Sequence, residues 1–144
     1  MATDRRADVV WQGDLMNGSG TIAPAPSGAF GPLDVSWASR AEEPNGRTSP
    51  EELVASAWAA CFAMALSHAL AQCGNAPEKL ETSATVTFQP GEGITSGKLT
   101  VRGTVPGLDD DAFREAAEAA KANCPVSKAL AGIPDVTLEA GLAA

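Results

Sequence analysis

The sequence predicts an α+β fold, with antiparallel sheets packed around two main helices in one domain over residues 1–144. Three observations carry this: short alternating runs that read as strands, one long helical pattern with marked ends, and a second helix opened by three aspartates. A chain of 144 residues with 44% hydrophobic content is long enough to bury a core without disulfide or metal support.

Val9-Val10-Trp11 and Gly20-Thr21-Ile22 flank a turn containing Asn17-Gly18, a strong hairpin signal. Leu33, Val35 and Trp37 alternate with small or polar residues as in a half-buried strand, which places Arg40 at its end, before the turn-rich stretch 42–49. Ser49 then suits a helix cap, Pro50 the first helical position, and Glu52 completes a capping box. Gly74 and Pro77 close this helix after about 24 residues, roughly 36 Å. Its many alanines predict close packing on more than one side. Residues 82–88 and 98–105 read as two antiparallel strands joined by a loop with Gly91, Gly93 and Gly97. Asp109-Asp110-Asp111 opens the second helix, which runs toward Asn123, and Pro125 forces a break that leaves Cys124 between it and a short helix over 125–131. A last strand covers 136–139.

A net charge of −8 disfavours nucleic acid and anionic membrane surfaces. The polar Met1–Arg6 start lacks the apolar region of a signal peptide, and no run reaches the roughly 20 apolar residues of a membrane span. Three cysteines without an export signal then point to reduced thiols in a cytoplasmic protein, with any disulfide transient.

Cys61 lies in mid-helix among Trp58, Phe62, Ala65 and Leu66, where a cysteine usually acts as a small inert hydrophobe. It sits ten residues past Glu51, too far along the helix for the dipole to lower its pKa, so reactivity would need a fixed cation, for which Arg40 and Arg47 are the candidates. Either arginine could equally be a solvated surface charge. Glu51 and Glu52 suit the helix start on electrostatic grounds alone, and one of them could orient the arginine. Cys124, just before a helix-initiating proline, can feel unpaired N–H groups; it could also be a buried junction residue. Cys73 is twelve residues from Cys61, about 18 Å along the axis, and reads as structural. His68, the single histidine, is about 10 Å from Cys61 along the same helix, which argues against a cysteine hydrolase, and no metal or cofactor motif is present.

Thr48-Ser49-Pro50-Glu51-Glu52-Leu53-Val54-Ala55-Ser56-Ala57-Trp58-Ala59-Ala60-Cys61-Phe62 resembles the signature helix of the OsmC/Ohr family of hydroperoxide reductases, and Asn123-Cys124-Pro125-Val126-Ser127-Lys128-Ala129-Leu130 resembles its second cysteine motif. Trp11-Gln12-Gly13-Asp14 and Trp37-Ala38-Ser39-Arg40 resemble the OsmC branch, so the likeness spans nearly the whole chain. It implies a thiol-dependent peroxidase that reduces organic hydroperoxides, and hydrogen peroxide more weakly, through a Cys61 sulfenic acid and a Cys61–Cys124 disulfide. Arg40 would stabilise the departing oxygen, with Arg47 the alternative, and Glu51 takes the family's glutamate position. No cofactor is implied beyond an external dithiol such as a dihydrolipoyl group. Trp58, Phe62 and Met64 are expected to accommodate the alkyl chain of the substrate. Because Glu51 lies about 15 Å along the helix from Cys61, beyond the reach of one arginine, Glu51 of a second subunit is expected to complete the site, in keeping with the intertwined homodimer and shared active sites that the resemblance implies. The competing expectation is a non-enzymatic stress or ligand-binding protein on the same fold.

Overall fold

Residues 1–143 are described by a computed structural model, in which the chain groups into two compact units, Met1–Leu53 and a second beginning at Val54.

The first unit opens with an antiparallel sheet in the order β1-β2-β3, formed by Val9–Gln12, Ser19–Ile22 and Leu33–Val35. Its hairpin forms where Asn17-Gly18 predicts it, and Asp14 closes the loop by accepting the Asn17 N–H at 2.7 Å. Trp11 lies over Gly20, where any side chain would collide with its ring. Trp37 and Arg40 depart from the expected strand: β3 stops at Val35, and Trp37–Ala41 form a short helix, α1. Ser36 and Ser39 explain the departure, since each side chain accepts the other's backbone N–H (3.1 and 3.0 Å) in a capping box that turns the chain. The buried Ser39 hydroxyl also reaches the Thr48 carbonyl at 2.8 Å, folding the intervening loop back on α1. The next helix, α2, covers Pro50–Gln72, capped as expected by Ser49, whose hydroxyl takes the Glu52 N–H at 3.1 Å.

From Val54 onward the second unit contains the rest of α2, strands β4 (Lys79–Gln89), β5 (Gly93–Thr104) and β6 (Asp135–Leu142), and helices α3 (Asp110–Asn123) and α4 (Pro125–Ala129). The α+β class is as expected, with one correction to its sheets: β4 and β5 are antiparallel, whereas β6 runs parallel to β5. The cause is the crossover through α3 and α4, which returns the chain to the end of the sheet from which β5 set out. β5 also starts earlier than predicted, so Gly97 lies within a strand and not in a loop.

Trp58, Phe62, Leu66 and Leu70 recur every fourth residue on α2 and bury one stripe in a core shared with Leu99 and Val101 of β5 and Phe113, Ala117 and Ala120 of α3. Each such large side chain contributes about 1.5–3 kcal/mol by leaving water. The alanine-rich faces depart from the expectation of burial on several sides: Ala57, Ala60, Met64 and Ala71 are exposed. By length and composition α2 could cross a membrane, with mean hydropathy 1.6, yet its Trp58, Phe62, Leu66 and Leu70 are taken up by this core.

Candidate active site

Cys124 is placed by the break that Pro125 imposes. It is the last capping residue of α3, its N–H bonded to Ala120 O at 2.8 Å, and the first capping residue of α4. Its extended ψ of 122° turns the chain between the two helices and leaves the side chain wholly buried. Cys61, on α2 one turn beyond Trp58, flanks the buried stripe and is half-buried. The two sulphurs stand 3.0 Å apart, both as free thiols.

At that distance the thiols share a hydrogen bond, and their surroundings decide which sulphur carries charge more easily. Burial pushes the Cys61 thiol up, as does the neighbouring Cys124 thiol, against one backbone N–H, that of Val126. Burial opposes charge on Cys124 as well, but the Cys61 thiol, the Ser127 N–H and hydroxyl, and the Val126 N–H outweigh it and bring Cys124 below the ordinary thiol range. Those N–H groups belong to the first turn of α4 and act on the sulphur without closing a side-chain cap hydrogen bond. Within this unit, Cys124 is therefore the better thiolate. Cys61 would need a cation to become one.

The first unit holds a second cluster. Arg40, in the last turn of α1, grips Glu51 in the first turn of α2: Nε donates to Oε1 at 2.8 Å and to Oε2 at 3.2 Å, and Nη2 meets Oε1 at 2.8 Å. Glu51 is 6% exposed, so its carboxylate is buried and needs this charge-assisted fork. The geometry follows from Ser39 holding Thr48, which turns the end of α1 toward the start of α2.

The sequence-derived candidates thus fall into two pairs, Cys61 with Cys124 and Arg40 with Glu51. Arg47 is exposed on the loop before α2, and the Glu52 carboxylate takes the Thr48 hydroxyl at 2.7 Å. Cys73 is exposed at the end of α2. Of the residues expected to line an alkyl pocket, Trp58 and Phe62 are sealed in the core and Met64 is 73% exposed. Sequence reasoning missed Ser127, whose hydroxyl accepts the Trp58 indole N–H at 2.8 Å; a separation of 69 positions gives no local signal of it. Among the described residues no cluster of three metal-ligating side chains occurs.

The family described as OsmC-like protein matches residues 43–139. The chain is 36% identical over 142 residues to "Peroxiredoxin OsmC" of Escherichia coli (strain K12), an alignment covering 96% of each. It is 37% identical over 102 residues to "Organic hydroperoxide resistance protein OhrA" of Bacillus subtilis (strain 168), covering 69% of this chain and 72% of that protein. Among solved structures it superposes on the organic hydroperoxide resistance protein OhrB of Bacillus subtilis with a TM-score of 0.67 at 29% identity, covering 94% and 97% of the two chains. An organic hydroperoxide resistance protein OsmC from Legionella pneumophila matches with a TM-score of 0.70 at 24% identity over 97% and 99%, a likeness of fold alone.

Proposed function

Since this chain belongs to the OsmC-like protein family, matched over residues 43–139, we propose that it is a thiol peroxidase that reduces organic hydroperoxides, and hydrogen peroxide more weakly, in the cytoplasm. The observation that carries the reading is the pair of unbonded sulphurs 3.0 Å apart, close enough to form a disulfide with little movement of the chain. The Cys61 thiolate attacks the peroxide oxygen distal to the alkyl group; the O–O bond breaks, the alkoxide leaves, and Cys61 becomes a sulfenic acid. The Cys124 thiolate then attacks that sulphur, expelling hydroxide and closing the Cys61–Cys124 disulfide. An external dithiol, such as a dihydrolipoyl group, gives up two electrons to reopen it. The relatives named peroxiredoxin and organic hydroperoxide resistance protein support the substrate class.

Arg40, anchored by Glu51, is the cation that would favour the Cys61 thiolate and stabilise the departing oxygen. In our reading the protein is a single OsmC-like domain that works as an intertwined homodimer, with the Arg40–Glu51 pair of one protomer serving Cys61 of its partner. Two observations support this. Ten residues of α2, about 15 Å, separate Glu51 from Cys61. The exposed residues Ala57, Ala60, Met64 and Ala71 also follow one another at helical spacing, a stripe suited to a second copy of α2.

The test is thiol mapping by mass spectrometry after one equivalent of cumene hydroperoxide. A Cys61–Cys124 disulfide that dithiothreitol reverses, absent from Cys61→Ser, is the expected result. Cysteines that stay reduced in excess peroxide would overturn the peroxidase and leave a ligand-binding role.

A further inference from the structure

Trp58 is 1% exposed and cannot move freely. A β-carbon at Gly97 would lie 2.6 Å from its Cζ3 and 2.7 Å from its Cη2, so the strand is thinned to a glycine where the ring packs. The indole Nε1–H therefore has one fixed direction, and it ends on Ser127 Oγ at 2.8 Å. Ser127 is the third residue of α4, whose capping residue is Cys124, and its N–H and hydroxyl both favour charge on the Cys124 sulphur. A serine hydroxyl has one proton to give. With its oxygen already accepting from Trp58, that proton is free to face Cys124.

We propose that Trp58 and Ser127 are positioning residues for the resolving step: the buried indole anchors the first turn of α4 to α2, keeps the sulphurs of Cys61 and Cys124 at bonding range, and directs the Ser127 hydroxyl to Cys124 Sγ. The inference rests on the peroxidase reading and assigns residues to its second step. That step joins Cys124 Sγ to Cys61 Sγ, breaks the S–O bond of the sulfenic acid and releases hydroxide, so it runs at the rate at which a thiolate is present and aimed. The lowered thiol range of Cys124, to which the Ser127 hydroxyl contributes, agrees with this role. The charged residues around the couple are Glu118 and Lys121 of α3 and Lys128 of α4, which line a cavity of about 500 Å³ together with Trp58 and Ser127.

The experiment separates the two chemical steps in the full-length protein. Cys61 sulfenic acid is trapped with dimedone after a pulse of cumene hydroperoxide, and disulfide closure is followed by rapid quench and mass spectrometry. Ser127→Ala is expected to slow closure about tenfold or more, the usual effect of losing a hydrogen bond to a charged group, while sulfenic acid still forms on Cys61. Ser127→Thr, which keeps the hydroxyl, should restore closure. Trp58→Phe should slow it like Ser127→Ala; because that change also thins the core, the half-buried Ser127 position keeps the test independent of folding. Closure in Ser127→Ala at the unaltered rate, or equal slowing in Ser127→Thr, overturns the proposal and leaves the peroxidase standing. Absence of any sulfenic acid or disulfide in the unaltered protein takes down both readings.

Discussion

Gly97 and Trp58 fit as a gap and its filler: the ring occupies the space that a side chain on β5 would take, and the approach is so close that even a methyl group at 97 would force one of them to move. Gly97→Ala should therefore overpack the core and cost about 1–3 kcal/mol of stability. Gly132→Ala serves as the comparison, because a β-carbon there meets nothing within 4 Å and should change stability by no more than about 0.5 kcal/mol. Urea unfolding of the three proteins checks this, and equal midpoints would refute the packing argument.

The cation requirement of Cys61 gives a pH signature. Burial and the adjacent Cys124 thiol raise its pKa, so without help it keeps its proton at neutral pH and cannot attack. If Arg40 supplies the help, the unaltered enzyme has its thiolate formed near neutrality and its rate is nearly flat above it. In Arg40→Gln the rate of peroxide consumption should instead climb about tenfold per pH unit up to or beyond the ordinary thiol pKa of about 8.5. Stopped-flow assays across pH decide the matter: parallel profiles for the two proteins would mean that Arg40 does not set the charge of Cys61.

How far the sequence carries depends on the range of the interaction. The start of α2 was legible because Ser49, Pro50 and Glu52 act within one turn, and the Cys124 junction because Pro125 forbids continuation of α3. α1 was hidden because the alternation of Leu33, Val35 and Trp37 runs across the Ser36–Ser39 cap, and the cap won locally. The parallel course of β6 depends on where α3 and α4 deliver the chain, which no window of residues encodes. Of the candidate site, family resemblance named Cys61, Cys124, Arg40 and Glu51. Their grouping into two pairs needed the Ser39–Thr48 bond and the α3–α4 break, both tertiary consequences of small residues.

Access and charge together fix which sulphur the reductant meets. Cys124 is wholly buried and its thiol is lowered by the Cys61 thiol and the first turn of α4, which favours it as the leaving group, whereas Cys61 is half-buried. An incoming thiolate should attack Cys61 and release Cys124. The Cys61–Cys124 disulfide, treated with a monothiol and quenched early with an alkylating agent, should then carry the mixed disulfide on Cys61 and the alkyl group on the released Cys124. Intact-mass analysis with peptide mapping reads the outcome, and adducts predominantly on Cys124 would reverse the assigned direction.

Shared sites make a prediction that neither protomer can satisfy alone. If the Arg40–Glu51 pair of one chain serves Cys61 of the other, a Cys61→Ser homodimer has arginines but no attacking sulphur, and an Arg40→Gln homodimer has sulphurs but no cation. Both should be inactive or nearly so at neutral pH. After unfolding and refolding as a mixture, about half of the dimers are hybrids, and each hybrid holds one complete site, made by Cys61 of the Arg40→Gln chain and Arg40 of the Cys61→Ser chain, by random pairing of equal amounts. Peroxidase activity should then recover to about a quarter of the unaltered level, since half of the dimers carry one working site of two. Were each site built within one chain, the hybrid would contain one site lacking the sulphur and one lacking the cation, and mixing would restore nothing. Recovery of activity on mixing therefore measures directly whether Arg40 and Cys61 act across the dimer.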